Sequence, residues 1–159
     1  MRLIKDKKEL KETEYYMRLA AEEAKKSTCK KSRRGAIIVK NGKVIGKGYN
    51  KVTFEKPCNP CIREKIHDNS RVEMCSAIHA EQMAIIDATN RGKTLKGAIM
   101  YHVKIKNDKI VPVGDLSCTV CSRILREAGV EFVLLYKNGY VLYKPNELNK
   151  LSFDYFLKQ

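Results

Sequence analysis

Two short segments of this chain carry the residue types of a catalytic zinc site: His79-Ala80-Glu81 and Cys118-Thr119-Val120-Cys121. One imidazole and two thiolates are three zinc ligands, and a site with three protein ligands keeps a fourth position open for water. Zinc lowers the pKa of such a water toward neutrality, and a carboxylate beside it can carry the proton. We therefore predict that His79, Cys118 and Cys121 bind the metal and that Glu81 carries protons in a hydrolytic reaction.

Each segment taken alone has a simpler interpretation. A lone Cys-x-x-Cys is typical of a structural zinc half-site or a redox pair, and a lone histidine on a helix is usually a surface or core residue. Here His-x-Glu opens one apolar helical pattern, Cys-x-x-Cys opens another, and a strand-like run precedes the second. If Cys118 and Cys121 open a helix, both sulfurs lie on one face near the positive end of its dipole, where thiolates are favoured. The combination favours the catalytic zinc.

The elements that must position these residues alternate along the chain. Hydrophobic periodicity predicts helices over 12–26, 79–90, 118–128 and 146–157 and strands over 35–40, 43–46, 98–103, 131–136 and 140–143. Asn41-Gly42 is a strong hairpin turn, and 104–115 looks like a strand extension with a turn at Asn107-Asp108. This order predicts a mixed sheet covered by helices. We expect a single domain over 1–159, with a Cys-rich loop insertion over about 50–78.

Composition sets the class of protein. The chain has 159 residues, of which 43% are hydrophobic and 31% charged, so it is globular rather than disordered. Its first residues form no apolar signal segment, and no apolar run is long enough to span a bilayer. Six cysteines without an export signal favour metal binding over disulfides. We therefore expect a cytoplasmic protein with no membrane partner.

The formal net charge is +14. Such a charge attracts phosphorylated substrates or nucleic acid. Solubility is an equally weighted explanation, because the lysines are spread along the chain rather than grouped in blocks.

Four sequence blocks resemble one known family over about residues 16–136. They are Ser27-Thr28-Cys29, Gly48-Tyr49-Asn50, the run 75–82 (Cys-Ser-Ala-Ile-His-Ala-Glu-Gln), and 118–121 followed by Ala128-Gly129-Val130. On these blocks the chain resembles the cytidine deaminase superfamily, and within it the deoxycytidylate (dCMP) deaminase branch. Zinc-dependent nucleobase deaminases share the pattern H-x-E…P-C-x-x-C, and Ser117 stands here where the pattern has proline.

The resemblance implies a three-layer α/β/α fold with a mixed, about five-stranded sheet. It implies Zn²⁺ held by His79, Cys118 and Cys121, with Glu81 as the proton shuttle. The implied reaction replaces the exocyclic amine of a cytosine nucleotide, with dCMP to dUMP plus ammonia as the favoured case. The backbone amide of Ala80 is then expected to bind the ring carbonyl. Relatives are usually oligomers, so a homo-oligomer is expected.

Two further residues are candidates for substrate binding. Asn50 matches the family's substrate-contacting asparagine, and its simpler interpretation is a turn residue after a strand. Lys31 lies in the basic run Lys30, Lys31, Arg33 and Arg34, near the position of a family arginine. The run could meet the substrate phosphate, and a solvated loop is an equally weighted alternative.

Alternatives to a dCMP deaminase remain at this point. The net charge and Met83 are compatible with an RNA-modifying (tRNA) deaminase, for which the chain shows no separate RNA-binding domain. A free nucleoside or a pyrimidine of the riboflavin pathway would keep the chemistry and change the substrate. A binding module stabilised by zinc is disfavoured, because a structural zinc has no use for Glu81.

The remaining cysteines are Cys29, Cys58, Cys61 and Cys75. The resemblance implies a possible second, structural zinc, because some deoxycytidylate deaminases build one from the Ser-Thr-Cys cysteine and ligands of this loop. Four thiolates would form a closed tetrahedral site, and His67 could replace one of them. The alternative is four free buried thiols.

Overall fold

The computed structural model describes residues 1–54, 58, 60–65, 74–114, 116–137 and 139–158. Its helices are α1 (Lys7–Lys25), α2 (Ile62–Lys65), α3 (Ala80–Asn90), α4 (Thr119–Ala128) and α5 (Pro145–Leu157). Its strands are β1 (Arg2–Leu3), β2 (Arg33–Lys40), β3 (Lys43–Tyr49), β4 (Lys51–Val52), β5 (Ala77–Ile78), β6 (Ile99–Lys106), β7 (Lys109–Val111), β8 (Glu131–Tyr136) and β9 (Gly139–Tyr143). The predicted helices and strands are all present, most of them with shifted ends.

The main sheet has the strand order β1-β9-β8-β6-β2-β3, and β7 pairs with the far end of β6. β6 and β8 run parallel and are connected through α4, whereas the other pairs of this sheet are antiparallel. The predicted five strands form the body of the sheet, and the short β1 and β7 extend it to seven. The predicted mixed sheet is confirmed, and β4 and β5 form a separate two-stranded sheet beside it.

Helices cover both faces of the sheet. Because side chains alternate along a strand, Ile37 and Val39 of β2 pack in the core beneath α1, whereas Ala36 and Ile38 pack on the opposite face. That opposite face is covered by α3, α4 and α5. The result is the predicted three-layer α/β/α arrangement, with one apolar core on each side of the sheet.

The segment between β6 and α4 forms the predicted hairpin. Asn107 and Asp108 turn the chain with φ of 50° and 59°, the left-handed conformation that a tight hairpin turn requires. Arg33 Nη1 donates to Asp108 Oδ1 at 3.0 Å and ties the turn to β2. After β7, the Val113 N–H donates to the Leu135 carbonyl at 3.0 Å, so the chain returns across the sheet before it reaches α4.

Within the part of the chain that the structure describes, the helices are too short or too polar to cross a membrane.

Candidate active site

The three predicted metal ligands meet at the N-terminal ends of two helices. His79 is the N-cap of α3, Cys118 is the N-cap of α4, and Cys121 lies in the first turn of α4. His79 Nδ1 is 3.4 Å from the sulfur of Cys118 and 3.4 Å from that of Cys121. In a tetrahedral zinc site with ordinary bond lengths, nitrogen and sulfur ligands lie roughly 3.6 Å apart. The donor set therefore fits zinc in both chemistry and spacing.

The two thiols have opposite pKa shifts. The hydrogen bond from Cys121 and the neighbouring His79 outweigh burial and lower the pKa of Cys118 to about 5. The same hydrogen bond, together with burial, raises the pKa of Cys121 well above its usual value. The Cys121 N–H also donates to the Cys118 sulfur at 3.4 Å. The first turn of α4 thus favours a thiolate at Cys118, where the helix dipole adds to the effect.

The imidazole of His79 is held by several groups. Burial lowers the pKa of His79, but hydrogen bonds with Cys118 and Cys75 and the charge of Glu81 outweigh it and raise the pKa to about 10. The His79 backbone N–H donates to the Gln82 side chain at 2.9 Å. These contacts fix the ring at the entrance to α3 with Nδ1 toward the two sulfurs.

Glu81 lies in the first turn of α3 and is only 4% exposed. Ser117 Oγ donates to Glu81 Oε1 at 3.1 Å, and His102 Nε2 lies 3.9 Å from the same oxygen. Burial raises the pKa of Glu81, but His102, His79, its own backbone N–H and Arg34 together lower it below the usual value. A buried carboxylate that stays ionised can act as a base at neutral pH.

A cavity of about 460 Å³ opens beside this cluster. His79, Ala80, Glu81 and Cys118 line its inner end. Among the described lining residues Glu81 is the one carboxylate, whereas basic side chains come from several parts of the chain: Lys31, Arg34, Arg63 and Lys104. The wall is therefore suited to an anionic ligand.

Ala80, whose backbone amide is predicted to bind the ring carbonyl, lies at the cavity. Ala80 is the first residue of α3 and lines the cavity. The first N–H groups of a helix have no acceptor within the helix, so its amide can donate to a ligand carbonyl. Its role stays a prediction, but its position fits.

Asn50 lines the cavity but is used mainly to hold the surrounding loop. Its Oδ1 accepts from the Arg34 N–H at 2.8 Å and from Ser27 Oγ at 2.6 Å, and its Nδ2 donates to the Ser32 carbonyl at 2.6 Å. Both lone pairs of the amide oxygen are thereby engaged. Within these contacts, the second Nδ2 hydrogen remains for a ligand, so a substrate contact is limited to one donated hydrogen bond.

The second predicted metal site is not brought together. In the described part of the chain, the one group of three or more close metal-binding atoms is His79 with Cys118 and Cys121. Cys29, Cys61 and Cys75 line the same cavity, whereas the Cys58 sulfur contacts Ser76 Oγ at 3.2 Å. His67 and much of the loop over about 50–78 lie outside the described residues. A second zinc therefore stays a prediction.

Sequence reasoning missed two neighbours of Glu81. Ser117 stands out in the sequence only as a departure from the proline of the zinc pattern, and nothing in the family pattern singles out His102. The sequence signal for His102 is a polar residue inside the apolar run of β6. In the structure His102 is 2% exposed and stacks on Phe132, with ring centroids 5.5 Å apart. The partner of Ser117 could not be found from the sequence, because Glu81 is 36 positions away.

Comparison with known families agrees with this geometry. The profile of the cytidine and deoxycytidylate deaminase zinc-binding region matches residues 10–137. That range contains His79, Glu81, Cys118 and Cys121, all contributed by the N-terminal ends of α3 and α4.

Individual relatives carry related names. The chain is 30% identical over 134 residues to the deoxycytidylate deaminase of Mycobacterium phage D29, a match that covers 79% of this chain and 94% of that protein. It is 26% identical to the deoxycytidylate deaminase of Schizosaccharomyces pombe, of which it spans 37% of the length. Among solved structures, the dCMP deaminase of cyanophage S-TIM5 in complex with dCMP and dUMP is 27% identical, with a TM-score of 0.52 and 80% of each chain covered.

Proposed function

This chain belongs to the cytidine and deoxycytidylate deaminase family, and from that premise we propose that it converts dCMP to dUMP and ammonia with a zinc ion bound by His79, Cys118 and Cys121. The observation that carries the proposal is the meeting of these three ligands beside the buried Glu81, whose pKa its neighbours lower. A metal site built only for stability has no use for a carboxylate at that position.

The residues of this chain divide the reaction between them. Zinc, when bound, supplies the Lewis acidity that makes water a nucleophile at neutral pH. Glu81 takes one proton from the attacking water and passes it to the ring nitrogen beside the reacting carbon. It then takes the second proton, from the hydroxyl now on that carbon, and gives it to the departing amine as the C=O bond forms. The Ala80 amide holds the ring carbonyl, and Asn50 donates its remaining N–H to the nucleotide. Water is consumed, the C–N bond breaks, and ammonia leaves.

The cavity wall favours a phosphorylated substrate over a free nucleoside. Lys31 stands exposed at the rim, and half-buried Lys104 reaches the cavity from β6. Charge-assisted hydrogen bonds from such groups to a phosphate are shorter and stronger than neutral ones. The relative solved with dCMP and dUMP supports the same substrate class.

The structural zinc and the oligomer belong to the proposal as well. Of the four candidate ligands, Cys29, Cys61 and Cys75 line one cavity. Their shared location supports a second zinc, although their sulfur atoms do not form a close group in the described part of the chain. Metal analysis should return about two zinc ions per chain if this site exists, and a value near one would contradict it. Sedimentation of the purified protein decides whether it is an oligomer.

The test of the function is ammonia release from dCMP, deoxycytidine and a tRNA transcript, with Glu81→Ala as the inactive control. Turnover of dCMP that is lost in Glu81→Ala at unchanged zinc content supports the proposal. Turnover of tRNA in place of dCMP would contradict it and make the net charge a recognition surface. A preference for deoxycytidine would contradict the phosphate contact alone.

A further inference from the structure

Ser117 and Glu81 form a buried hydrogen bond between the two helix ends that carry the metal ligands. Each residue is 4% exposed, and Ser117 Oγ donates to Glu81 Oε1 at 3.1 Å. Ser117 directly precedes Cys118, whereas Glu81 follows His79 by two positions. The bond therefore links the acid to the segment that supplies the cysteine ligands.

The bond distinguishes the two oxygens of the carboxylate. Oε1 accepts from Ser117 and also faces His102 Nε2 at 3.9 Å, which is beyond hydrogen-bonding distance. With Oε1 engaged, Oε2 is the oxygen left to exchange protons with a ligand in the cavity. A fixed carboxylate loses less freedom on reaching the transition state than one that can rotate.

The residue type at position 117 departs from the pattern of zinc nucleobase deaminases. In the pattern shared by zinc nucleobase deaminases, proline precedes the first cysteine, and proline has no hydroxyl to donate. Serine provides one, and it is only 4% exposed where it meets Glu81 at the wall of the cavity. A hydrogen bond to an ionised group in such surroundings is stronger than one between neutral groups.

We propose that Ser117 is a positioning residue that holds Glu81 through Oε1, so that Oε2 is the oxygen that carries the proton. This inference rests on the proposed function. It assigns to Ser117 no contact with substrate or metal, only control over the orientation of the acid.

The test compares Ser117→Ala with Ser117→Thr, which restores a hydroxyl. Ser122→Ala is the matched control: Ser122 is a buried serine of α4 that donates to the Thr119 carbonyl at 3.2 Å and accepts from Asn149 at 3.1 Å, away from Glu81. For each protein we would measure kcat and KM for dCMP, zinc content, and the affinity for two probes. The probes are dUMP and the 5′-phosphate of 2-pyrimidinone deoxyriboside, which can accept water at the reacting carbon but has no amine to expel.

We expect Ser117→Ala to lower kcat by about 10- to 100-fold, in line with the loss of other residues that orient a reacting group, with KM and zinc content unchanged. The affinity for the pyrimidinone nucleotide should fall by a similar factor while that for dUMP stays the same, because only the former needs the proton from water. Ser117→Thr should regain most of the loss, and Ser122→Ala should keep the wild-type kcat.

Wild-type kinetics in Ser117→Ala would overturn the positioning role and leave the proposed function standing. A loss of kcat accompanied by equal loss of dUMP affinity or zinc, with no rescue by threonine, would assign Ser117 to packing instead. A wild-type protein that neither deaminates dCMP nor binds the pyrimidinone nucleotide would overturn both proposals.

Discussion

Gly48 of β3 lies against the backbone of Ala80, the residue between His79 and Glu81. A Cβ on Gly48 would come within 2.4 Å of the Ala80 carbonyl oxygen and within 2.4 Å of the Ala84 nitrogen. The strand and the first turn of α3 therefore meet backbone to backbone. The distance between α3 and the sheet therefore depends on glycine at position 48, which has no side chain. The position of His79 and Glu81 depends on it as well.

Gly48→Ala should displace the start of α3. The new methyl group meets backbone atoms that cannot rotate away, so we expect a loss of about 1–3 kcal/mol in the free energy of unfolding. The kcat for dCMP should fall as well, because small displacements of catalytic groups are costly. Urea unfolding followed by circular dichroism, together with kcat per bound zinc, measures both effects.

Gly42→Ala provides the control for this comparison. Gly42 has a φ of +71°, and within the described part of the chain the space that a Cβ would occupy is open to 4 Å. Alanine there strains the β2–β3 turn without touching α3. We expect a stability loss of about 1 kcal/mol with unchanged kcat. If Gly48→Ala kept the kcat of Gly42→Ala, the link between Gly48 and the site would be wrong.

Cys121→Ser should remove the catalytic zinc, whereas Cys58→Ser should retain it. In the wild type, zinc affinity should rise with pH, because ligands must lose protons to bind metal. The raised pKa of Cys121 and the pKa of His79 of about 10 mean that protons compete with zinc throughout the neutral range. Titration against a zinc buffer between about pH 6 and pH 8 checks the direction, and metal retained by Cys121→Ser would refute the ligand assignment.

The sequence predicted the chemistry of the site better than its surroundings. His79, Cys118 and Cys121 could be predicted to lie together because zinc accepts few ligand types at few spacings, and the structure brings these three together. The predicted strand 131–136 is present with the same bounds. Gly129 and the following turn limit a short apolar run on both sides, so the ends of the strand are well defined in the sequence.

Elements held by local capping or tertiary pairing were harder to predict. α1 begins at Lys7 rather than at the predicted residue 12. Asp6 caps this start, because its Oδ1 accepts from the N–H groups of Lys8 and Glu9. That cap is visible in the sequence, but the first turn lacks apolar periodicity. β1 is two residues long and exists because it pairs with β9, a partner that no local pattern indicates.

Within the site, Asn50 likewise shows that contacts between distant parts of the chain are hard to predict from the sequence. The sequence predicted a substrate contact for Asn50, which stays a prediction, and the structure places Asn50 in the wall of the cavity. Its bond with Ser27, however, joins the blocks Ser27-Thr28-Cys29 and Gly48-Tyr49-Asn50 into one loop support. Two motifs that looked independent along the chain are thus one structural unit, and only the fold reveals that.

Asp87 should make stability depend on pH. Burial raises the pKa of Asp87, but the hydrogen bonds from Arg91 and from the Lys47 backbone N–H, the latter 2.8 Å long, outweigh it and lower the pKa. A carboxylate with a lowered folded-state pKa stabilises the protein above its unfolded-state pKa, and the effect is lost as pH falls through the folded value. Asp87→Asn should therefore cost stability at neutral pH, by about 1 kcal/mol after allowance for partial exposure.

Urea unfolding of wild type and Asp87→Asn at several pH values checks this prediction. The difference in unfolding free energy should be full near pH 7, begin to shrink as pH falls past the unfolded-state pKa of about 4, and approach zero once pH is below the lowered folded-state pKa. A difference that persists at the lowest pH would assign the effect to packing rather than to the charge that joins α3 to β3.

Lys104→Ala should weaken the binding of the substrate phosphate. Lys104 lines the cavity, whereas Lys106, two positions on, is exposed at the end of β6. Lys106→Ala removes the same charge and is the matched control for long-range attraction. We expect KM for dCMP to rise about tenfold in Lys104→Ala, which corresponds to the lower end of the free energy of a hydrogen bond to a charged group. Lys106→Ala should change KM little. The KM for deoxycytidine, which has no phosphate, should change little in either variant. If Lys104→Ala raised KM equally for dCMP and deoxycytidine, Lys104 would not contact the phosphate.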